Sequence, residues 1–186
     1  GNEAIGLPAA NPRAIRAGFF QAVNELEQAF SLVESGDLSA IGAQDARLVG
    51  LKFDTSHEVY VGESFGSMIG TIVSAFQPGL EASVLDVGGG GTIIPLLVNS
   101  ATFGPLFTTV LDGALGAQPT SDPLDVDWTY NLGQWLLEEG DSLVYSPYVV
   151  QQQAWAGDHP CHVLQISAYL DELVPNPANL ALARGM

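Results

Sequence analysis

A serine stands at the centre of the pentapeptide GESFG, in which Gly62 and Gly66 flank Ser64. A nucleophilic serine needs a sharp turn that pushes its hydroxyl outward, and small flanking residues let the chain bend that tightly. The preceding run 59–61 is β-branched and aromatic, whereas apolar residues recur at helical spacing over 68–76. The pattern therefore predicts a nucleophile on a strand-to-helix elbow. The alternative is a chance match in a chain with 21 glycines.

The composition predicts one folded domain over residues 1–186, because 47% of the residues are hydrophobic and only 14% are charged. Such a chain is typical of a layered α/β protein whose strands are covered on both faces. Five basic residues against 21 acidic ones give a formal net charge of -16, which repels phosphate backbones. Nucleic acid is therefore not expected as a partner.

No cofactor or metal site is predicted. The single Cys161 can form no internal disulfide and is expected to be buried, and no Cys or His pair has metal-binding spacing. The acidic turn 122–127 could hold a hard cation, but it lacks clustered further ligands, so a solvated loop is favoured.

The uncharged stretch 93–111 is interrupted by Pro95 and Pro105, which favours a pocket wall or ordinary core over a membrane-spanning helix. Neither terminus resembles a signal peptide, so the compartment stays open.

Hydrophobic periodicity places three strands among several helices. A strand over 58–61, a helix over 66–76 and a strand over 83–87 make a right-handed parallel crossover, and a third strand is predicted over 162–167. Helices are expected to begin at Asn11-Pro12, with about five turns, and at Asn176-Pro177. A further helical stripe is predicted to lie in the core: Trp128, Leu132, Trp135 and Leu136.

Four consecutive glycines, Gly88–Gly91, follow the second predicted strand directly. A glycine-rich loop at that place can cradle a phosphate at the start of a helix. The sixth position of a Gly-x-Gly-x-x-Gly pattern is Ile93 here rather than glycine, so the dinucleotide-binding motif is incomplete. A nucleotide-binding α/β domain is therefore a third hypothesis, behind those given below.

Three features together resemble the α/β-hydrolase family, and more narrowly its bacterial lipase and esterase members. They are the GESFG elbow, the strand 83–87 running into Gly88–Gly91, and the segment YLDELVP over 169–175. The last is similar to the Asp-x-x-Val-Pro loop that carries the acid of the catalytic triad in that family. The likeness covers most of the chain and implies a partial α/β-hydrolase fold, a parallel sheet with helices on both faces.

The resemblance implies a serine hydrolase of carboxylic esters with an apolar acyl or alcohol part, the substrate being a small ester or a lipid. Ser64 would attack the ester carbonyl, the Phe65 backbone N–H would donate to the oxyanion, and Asp171 would orient a histidine. Glu172 is the second choice for the acid and Asp86 the third. Region 92–155 would form a cap or lid.

The chain departs from the family pattern in its histidines. His57, His159 and His162 all precede predicted strands, at the end opposite to Ser64, and the early strands and the second oxyanion donor are also missing. The resemblance therefore implies a fragment, or one piece of an assembly in which a companion segment or a second copy supplies the missing strands and the histidine. The alternative is a non-catalytic interaction module derived from a hydrolase.

Overall fold

The computed structural model describes residues 11–36, 44–50, 52–115, 128–152, 154, 155, 157 and 160–186, which form a mixed α/β fold. The strands are β1 (Glu58–Glu63), β2 (Leu80–Asp86) and β3 (His162–Ile166). The helices are α1 (Pro12–Ser35), α2 (Phe65–Phe76), α3 (Gly104–Leu115), α4 (Trp128–Leu137), α5 (Ser142–Tyr145), α6 (Pro147–Val150) and α7 (Asn176–Gly185). A π-helical segment spans Thr92–Val98, and 3₁₀ turns span Ala46–Leu48 and Glu138–Gly140.

The predicted strands and the helix that follows the elbow are confirmed, with shifted ends. β2 begins at Leu80, three residues before its predicted start, and α2 begins at Phe65, directly after Ser64. Helix α1 runs for 24 residues, longer than predicted. Its start is as expected, because the Asn11 side chain accepts a hydrogen bond from the Ala14 N–H and Pro12 is the first helical residue.

The three strands are parallel, in the order β1-β2-β3. Val61 pairs with Val84, which pairs with Leu164, so the strands are in register across the sheet. Parallel strands bring the loops that follow them to one edge of the sheet, here called the carboxyl edge. Ser64 follows β1 directly and Asp171 lies five residues after β3, so both belong to loops at this edge.

Helix α2 covers one face of the sheet and is buried from Ser67 to Ala75. A Cβ added at Gly70 would lie 2.1 Å from Cε1 of Tyr60, so the absence of a side chain there lets the tyrosine ring of β1 pack against the helix. The main hydrophobic core forms around α2 and includes Val73 and the thiol of Cys161, which is buried as predicted. Burial raises the pKa of that thiol.

The opposite face of the sheet is uncovered within the described residues, contrary to the prediction of helices on both faces. Val61 is 70% exposed and Leu164 is 56% exposed, and Val59 and Ile166 are also exposed. These side chains alternate with the inward-facing ones along their strands, so they share one face. Sequence composition indicates that strands are apolar, but it does not indicate what covers them.

The segment between β2 and β3 packs partly into a second hydrophobic cluster of Ile93, Phe107 and Leu137. The predicted core stripe on α4 is wrong, because Trp135 is 67% exposed and Leu132 and Leu136 are also exposed. The side chain of Trp128 lies outside the described set. Helix α4 instead buries Gly133 and Leu137. The predicted helical spacing is therefore confirmed, whereas the prediction of which helix face is buried is wrong.

No group of three or more His, Cys, Asp or Glu side chains is placed to hold a metal ion in the part of the chain that the structure describes. The acidic turn 122–127 lies outside the described residues. None of the described helices is both long enough and apolar enough to cross a bilayer.

Candidate active site

Ser64 has a strained backbone at the junction of β1 and α2. Its φ is 53° and its ψ is -115°, although only glycine adopts a positive φ without steric cost. Its N–H donates to the Asp86 carbonyl at 2.8 Å, which extends the β1–β2 pairing into the turn. The Ser64 side chain makes no capping hydrogen bond to the helix and is half-buried. A strained turn that leaves a hydroxyl uncommitted is the geometry of a nucleophile elbow.

The two glycines of the elbow have different roles. A Cβ at Gly62 would lie 2.6 Å from the carbonyl carbon and oxygen of Gly66, so backbone meets backbone there and no side chain fits. A Cβ at Gly66 would meet only the Tyr60 hydroxyl, at 3.7 Å. The sharp turn therefore requires glycine at position 62, whereas a side chain at position 66 would fit without a steric clash.

The buried side chain of Ser67, on α2, stabilises the turn at Ser64. Its hydroxyl is fully buried and lies 2.5 Å from the carbonyl oxygen of Gly62 and 2.7 Å from that of Asp86. One hydroxyl of α2 thus bridges the ends of β1 and β2 on either side of the turn. Ser67 could not be singled out from the sequence, since a serine inside a helical pattern carries no signal of such a contact.

The Phe65 N–H lies at the start of α2, directly after Ser64 in the chain. Phe65 is the first residue of α2, where backbone N–H groups have no partner within the helix and the helix dipole is positive. No described residue accepts a hydrogen bond from this N–H. The Phe65 ring packs against Phe19 of α1, with ring centroids 5.1 Å apart, and this contact fixes the helix start.

Three non-glycine residues with positive φ occur among the described residues, and each lies in the loop after a different strand. They are Ser64 after β1, Val87 (φ 45°) after β2 and Leu170 (φ 56°) after β3. A positive φ is a genuine outlier for a β-branched residue such as valine. Backbone strain of this kind clusters at active sites and switch regions. The non-glycine positions with positive φ in the described part of the chain therefore all lie in the loops at the carboxyl edge.

Asp171 is held in a tight local turn at the same edge. Its Oδ1 accepts hydrogen bonds from the N–H groups of Leu173, at 2.8 Å, and Val174, at 3.0 Å. No described residue donates to its Oδ2. Ser64 and Asp171 follow strands that are two positions apart in the sheet.

The loop after β3 that contains Asp171 is anchored on both sides. Asn176 donates from Nδ2 to the Ala168 carbonyl at 2.7 Å and accepts from the Leu170 N–H at 3.1 Å. The Ser100 hydroxyl and the Thr102 N–H donate to the Glu172 carbonyl at 2.8 and 3.1 Å. These anchors fix the loop backbone, and no sequence pattern indicated the contributions of Ser100 and Thr102.

The two lower-ranked acids have different surroundings. The side chain of Glu172 is exposed, and only its carbonyl is held. Asp86 is the last residue of β2 and lies on the same face as Val84 and Ile166, the uncovered one. The expectation that Asp86 faces a packed layer is therefore wrong, because its side chain is half-buried on a face that the described residues leave open.

The described histidines lie at the amino ends of the strands. His57 immediately precedes β1, and His162 is the first residue of β3, while His159 lies outside the described residues. A six-residue strand spans roughly 20 Å, so the described imidazoles are far from the carboxyl edge. His57 Nδ1 lies 2.7 Å from Oε2 of Glu81, and this hydrogen bond raises the pKa of the exposed imidazole. Neither described histidine is placed to activate Ser64.

The glycine-rich loop serves packing rather than an open phosphate cradle. The N–H groups of Gly91 and Thr92 donate to the carboxylate of Asp141 at 2.9 and 2.5 Å, and the Gly90 N–H donates to the Ala178 carbonyl. A Cβ at Gly89 would lie 2.9 Å from Cβ of Ala178. A buried carboxylate already occupies the place where phosphate would bind, which argues against the nucleotide hypothesis.

Asp141 is the chief residue that sequence reasoning missed. It is 1% exposed and also accepts hydrogen bonds from the Gln134 side-chain amide, at 2.7 Å, and the Leu143 N–H, at 2.9 Å. Four N–H donors thus satisfy one buried carboxylate, which links α4, α5 and the loop after β2. The sequence signal was only an Asp at a helix N-cap, before Ser142.

No known family model, no curated protein and no solved structure matches this chain. The functional interpretation therefore depends on the geometry of the carboxyl edge.

Proposed function

We propose that this chain carries the nucleophile and the acid of a serine hydrolase that cleaves carboxylic esters. The observation that supports the proposal best is the positive-φ conformation of Ser64 between β1 and α2. The Ser64 side chain also makes no capping hydrogen bond to α2. An ordinary strand-to-helix connection has no need of such a strained serine. The proposed fold is the α/β-hydrolase fold, with these strands forming its central and later part.

In the proposed reaction, the Ser64 Oγ attacks the ester carbonyl carbon while a histidine takes the hydroxyl proton. The Phe65 N–H donates to the oxyanion of the tetrahedral intermediate. The histidine returns the proton to the departing alcohol, and water then hydrolyses the acyl-enzyme by the same route. Asp171 orients that histidine, which comes from outside the described residues.

The proposed substrates carry an apolar acyl or alcohol part. Phe65 is 51% exposed beside the nucleophile, and Tyr169 and Leu170 of the acid loop are also exposed. Apolar side chains at the rim of a site favour apolar ligands. The proposed cap or lid over 92–155 would cover this rim.

A fluorophosphonate probe tests the proposal, because it modifies serines that are activated as nucleophiles. The probe is applied to the chain alone and with added imidazole, which can replace a missing histidine base. Labelling is expected at Ser64, accelerated by imidazole and abolished in Ser64→Ala. The control Ser31→Ala changes an exposed serine on α1 and should leave labelling intact. A folded chain that stays unlabelled at saturating imidazole contradicts the proposal.

One observation favours a second function, a non-catalytic interaction module. Both described histidines lie away from the carboxyl edge. In this case the elbow is inherited from a hydrolase. The exposed side chains at the carboxyl edge then serve binding alone, and no ester is hydrolysed. The unlabelled outcome of the fluorophosphonate experiment, with the fold verified by circular dichroism, is the result that this module predicts.

We also propose a companion polypeptide, either a separate segment or a second copy of this chain. Among the described residues, β1 and β3 each pair with β2 alone, which leaves both outer edges open. Open strand edges favour pairing with another chain. Native mass spectrometry of the purified protein tests this proposal, since a strictly monomeric species with no second polypeptide contradicts it.

A further inference from the structure

Asn179, in the first turn of α7, is a buried polar residue that binds a loop of the carboxyl edge. The residue is 3% exposed. Its Nδ2 donates to the Gly88 carbonyl in the loop after β2, at 2.6 Å, and its Oδ1 accepts from Nδ2 of Asn176 at 3.2 Å. The side-chain amide of Gln165, on β3, donates to the Asn179 carbonyl at 2.8 Å. Buried amides that are paired in this way hold the elements around them in one arrangement.

From Asn179 the hydrogen bonds continue to the loop that contains Asp171. Nδ2 of Asn176 also donates to the Ala168 carbonyl, and its Oδ1 accepts from the Leu170 N–H, the residue directly before Asp171. The orientation of each amide is set by its partners, because an N–H requires the oxygen and a carbonyl requires the nitrogen. The hydrogen bonds therefore run without a break from the Gly88 carbonyl to the backbone beside the proposed acid.

In the other direction, Asn179 is connected to the elbow through Gly88. A Cβ at Gly88 would lie 2.5 Å from Cβ of Ser67, so the Gly88 backbone packs directly on that serine. The Ser67 hydroxyl lies 2.7 Å from the Asp86 carbonyl, which also accepts the Ser64 N–H at 2.8 Å. A displacement of Gly88 therefore changes the packing of Ser67, and with it the carbonyl group that holds Ser64.

We propose that Asn179 is a positioning residue that couples the elbow of Ser64 to the loop of Asp171. The catalytic meaning of this inference rests on the proposed function, whereas the coupling is a property of the fold. The side-chain hydrogen bonds of Asn179 go to Gly88 and Asn176, so it acts on the two site residues through others. Without Asn179 each loop keeps its own anchors but loses its alignment with the other. Small misplacements of reacting groups lower reaction rates strongly.

Native-state hydrogen exchange of the full chain tests the coupling without reference to activity. In Asn179→Ala, exchange of the Ser64 and Leu170 N–H groups is expected to increase at least tenfold relative to that of Leu85 in the central strand, because the loops loosen while the sheet persists. The matched control is Ser74→Ala, which removes a buried hydroxyl that bonds α2 to β2. This control should change both ratios by less than twofold.

Two results overturn the coupling. One is an equal change of both ratios in Asn179→Ala and Ser74→Ala, which assigns Asn179 a general packing role. The other is faster exchange at Leu170 with Ser64 unchanged, which separates the two loops. If Asn179→Ala does not fold, Asn179→Asp decides, since it keeps the side-chain oxygen and loses only the donor to Gly88, in a helix turn that favours negative charge. A tenfold rise at Ser64 is then expected, and no rise overturns the proposal.

Fluorophosphonate labelling with added imidazole measures the consequence for the nucleophile. The maximal rate of Ser64 modification should fall at least tenfold in Asn179→Ala, while the probe concentration that gives half of this rate changes less than twofold. Ser74→Ala should change neither value, because a purely structural loss does not slow the folded molecules. An unchanged maximal rate in Asn179→Ala overturns the positioning role. If the unmodified chain is not labelled, the hydrolase proposal fails, and the exchange ratios alone decide whether Asn179 couples the loops.

Discussion

Replacing Ser64 by glycine should stabilise the protein, because the serine is held at φ 53° and ψ -115°. A non-glycine residue in such a conformation costs of order 1–3 kcal/mol. Glycine removes that cost but adds about 0.5–1 kcal/mol of unfolded-state entropy. The net gain is therefore about 1 kcal/mol. Ser64→Ala keeps the Cβ and therefore the strain, and no capping bond is lost, so its stability should stay within about 0.5 kcal/mol of the unmodified chain.

Urea denaturation measures both variants, with the midpoint as the readout where the slope m is unchanged. Gly36→Ala provides a calibration, because Gly36 has φ +63° and a Cβ there would meet no atom within 4 Å. This substitution adds strain without a clash and should destabilise by about 1 kcal/mol. If Ser64→Gly is no more stable than Ser64→Ala while Gly36→Ala is destabilised, Ser64 is not strained and the support for a nucleophile elbow is lost.

Three further predictions concern packing, a buried carboxylate and pH. Gly62→Ala should destabilise by about 1–3 kcal/mol, because its Cβ meets the Gly66 backbone at 2.6 Å, whereas Gly66→Ala should be nearly neutral; equal thermal melting shifts would contradict this difference. Asp141→Ala should destabilise by about 3 kcal/mol or more in urea denaturation, since it leaves buried N–H donors unpaired, and a loss under 1 kcal/mol would exclude that anchoring role. The pKa of Glu58 is raised in the folded state above its ordinary 4.5, so its favourable contribution is full below that value and is lost as pH rises through the folded pKa. Glu58→Gln should therefore gain stability relative to the unmodified chain as pH rises above 4.5, and a difference in urea midpoint that stays constant with pH would refute the shift.

The sequence was sufficient to predict the local structure of the elbow. The β-branched and aromatic run before Ser64 and the helical spacing after it predicted β1 and α2, and the order of elements predicted parallel strands. The sequence also predicted that the loops after β1 and β3 lie at the same edge, because parallel strands bring their carboxyl ends to one edge. These features depend on neighbours in the chain or on topology alone.

Contacts between residues distant in the chain could not be predicted. Asp141 lies 50 residues after Gly91, whose N–H it binds, and nothing in either local pattern indicates the pairing. The α4 stripe failed for the same reason, since periodicity finds two faces but not the one that another element covers, and Trp135 is exposed. Whether one side of the sheet is covered depends on which other elements pack against residues such as Val61. The identity of Val61 does not indicate this.

The open sheet surface has a practical consequence for handling the protein. Val59, Val61 and Leu164 present adjacent aliphatic groups to water, while a net charge of -16 keeps molecules apart. Acidification neutralises that repulsion and concentrated salt screens it, so both treatments bring the aliphatic patches of different molecules together. Purification at neutral pH and moderate ionic strength is therefore the condition under which the chain remains dispersed, and light scattering should rise as the buffer approaches pH 4.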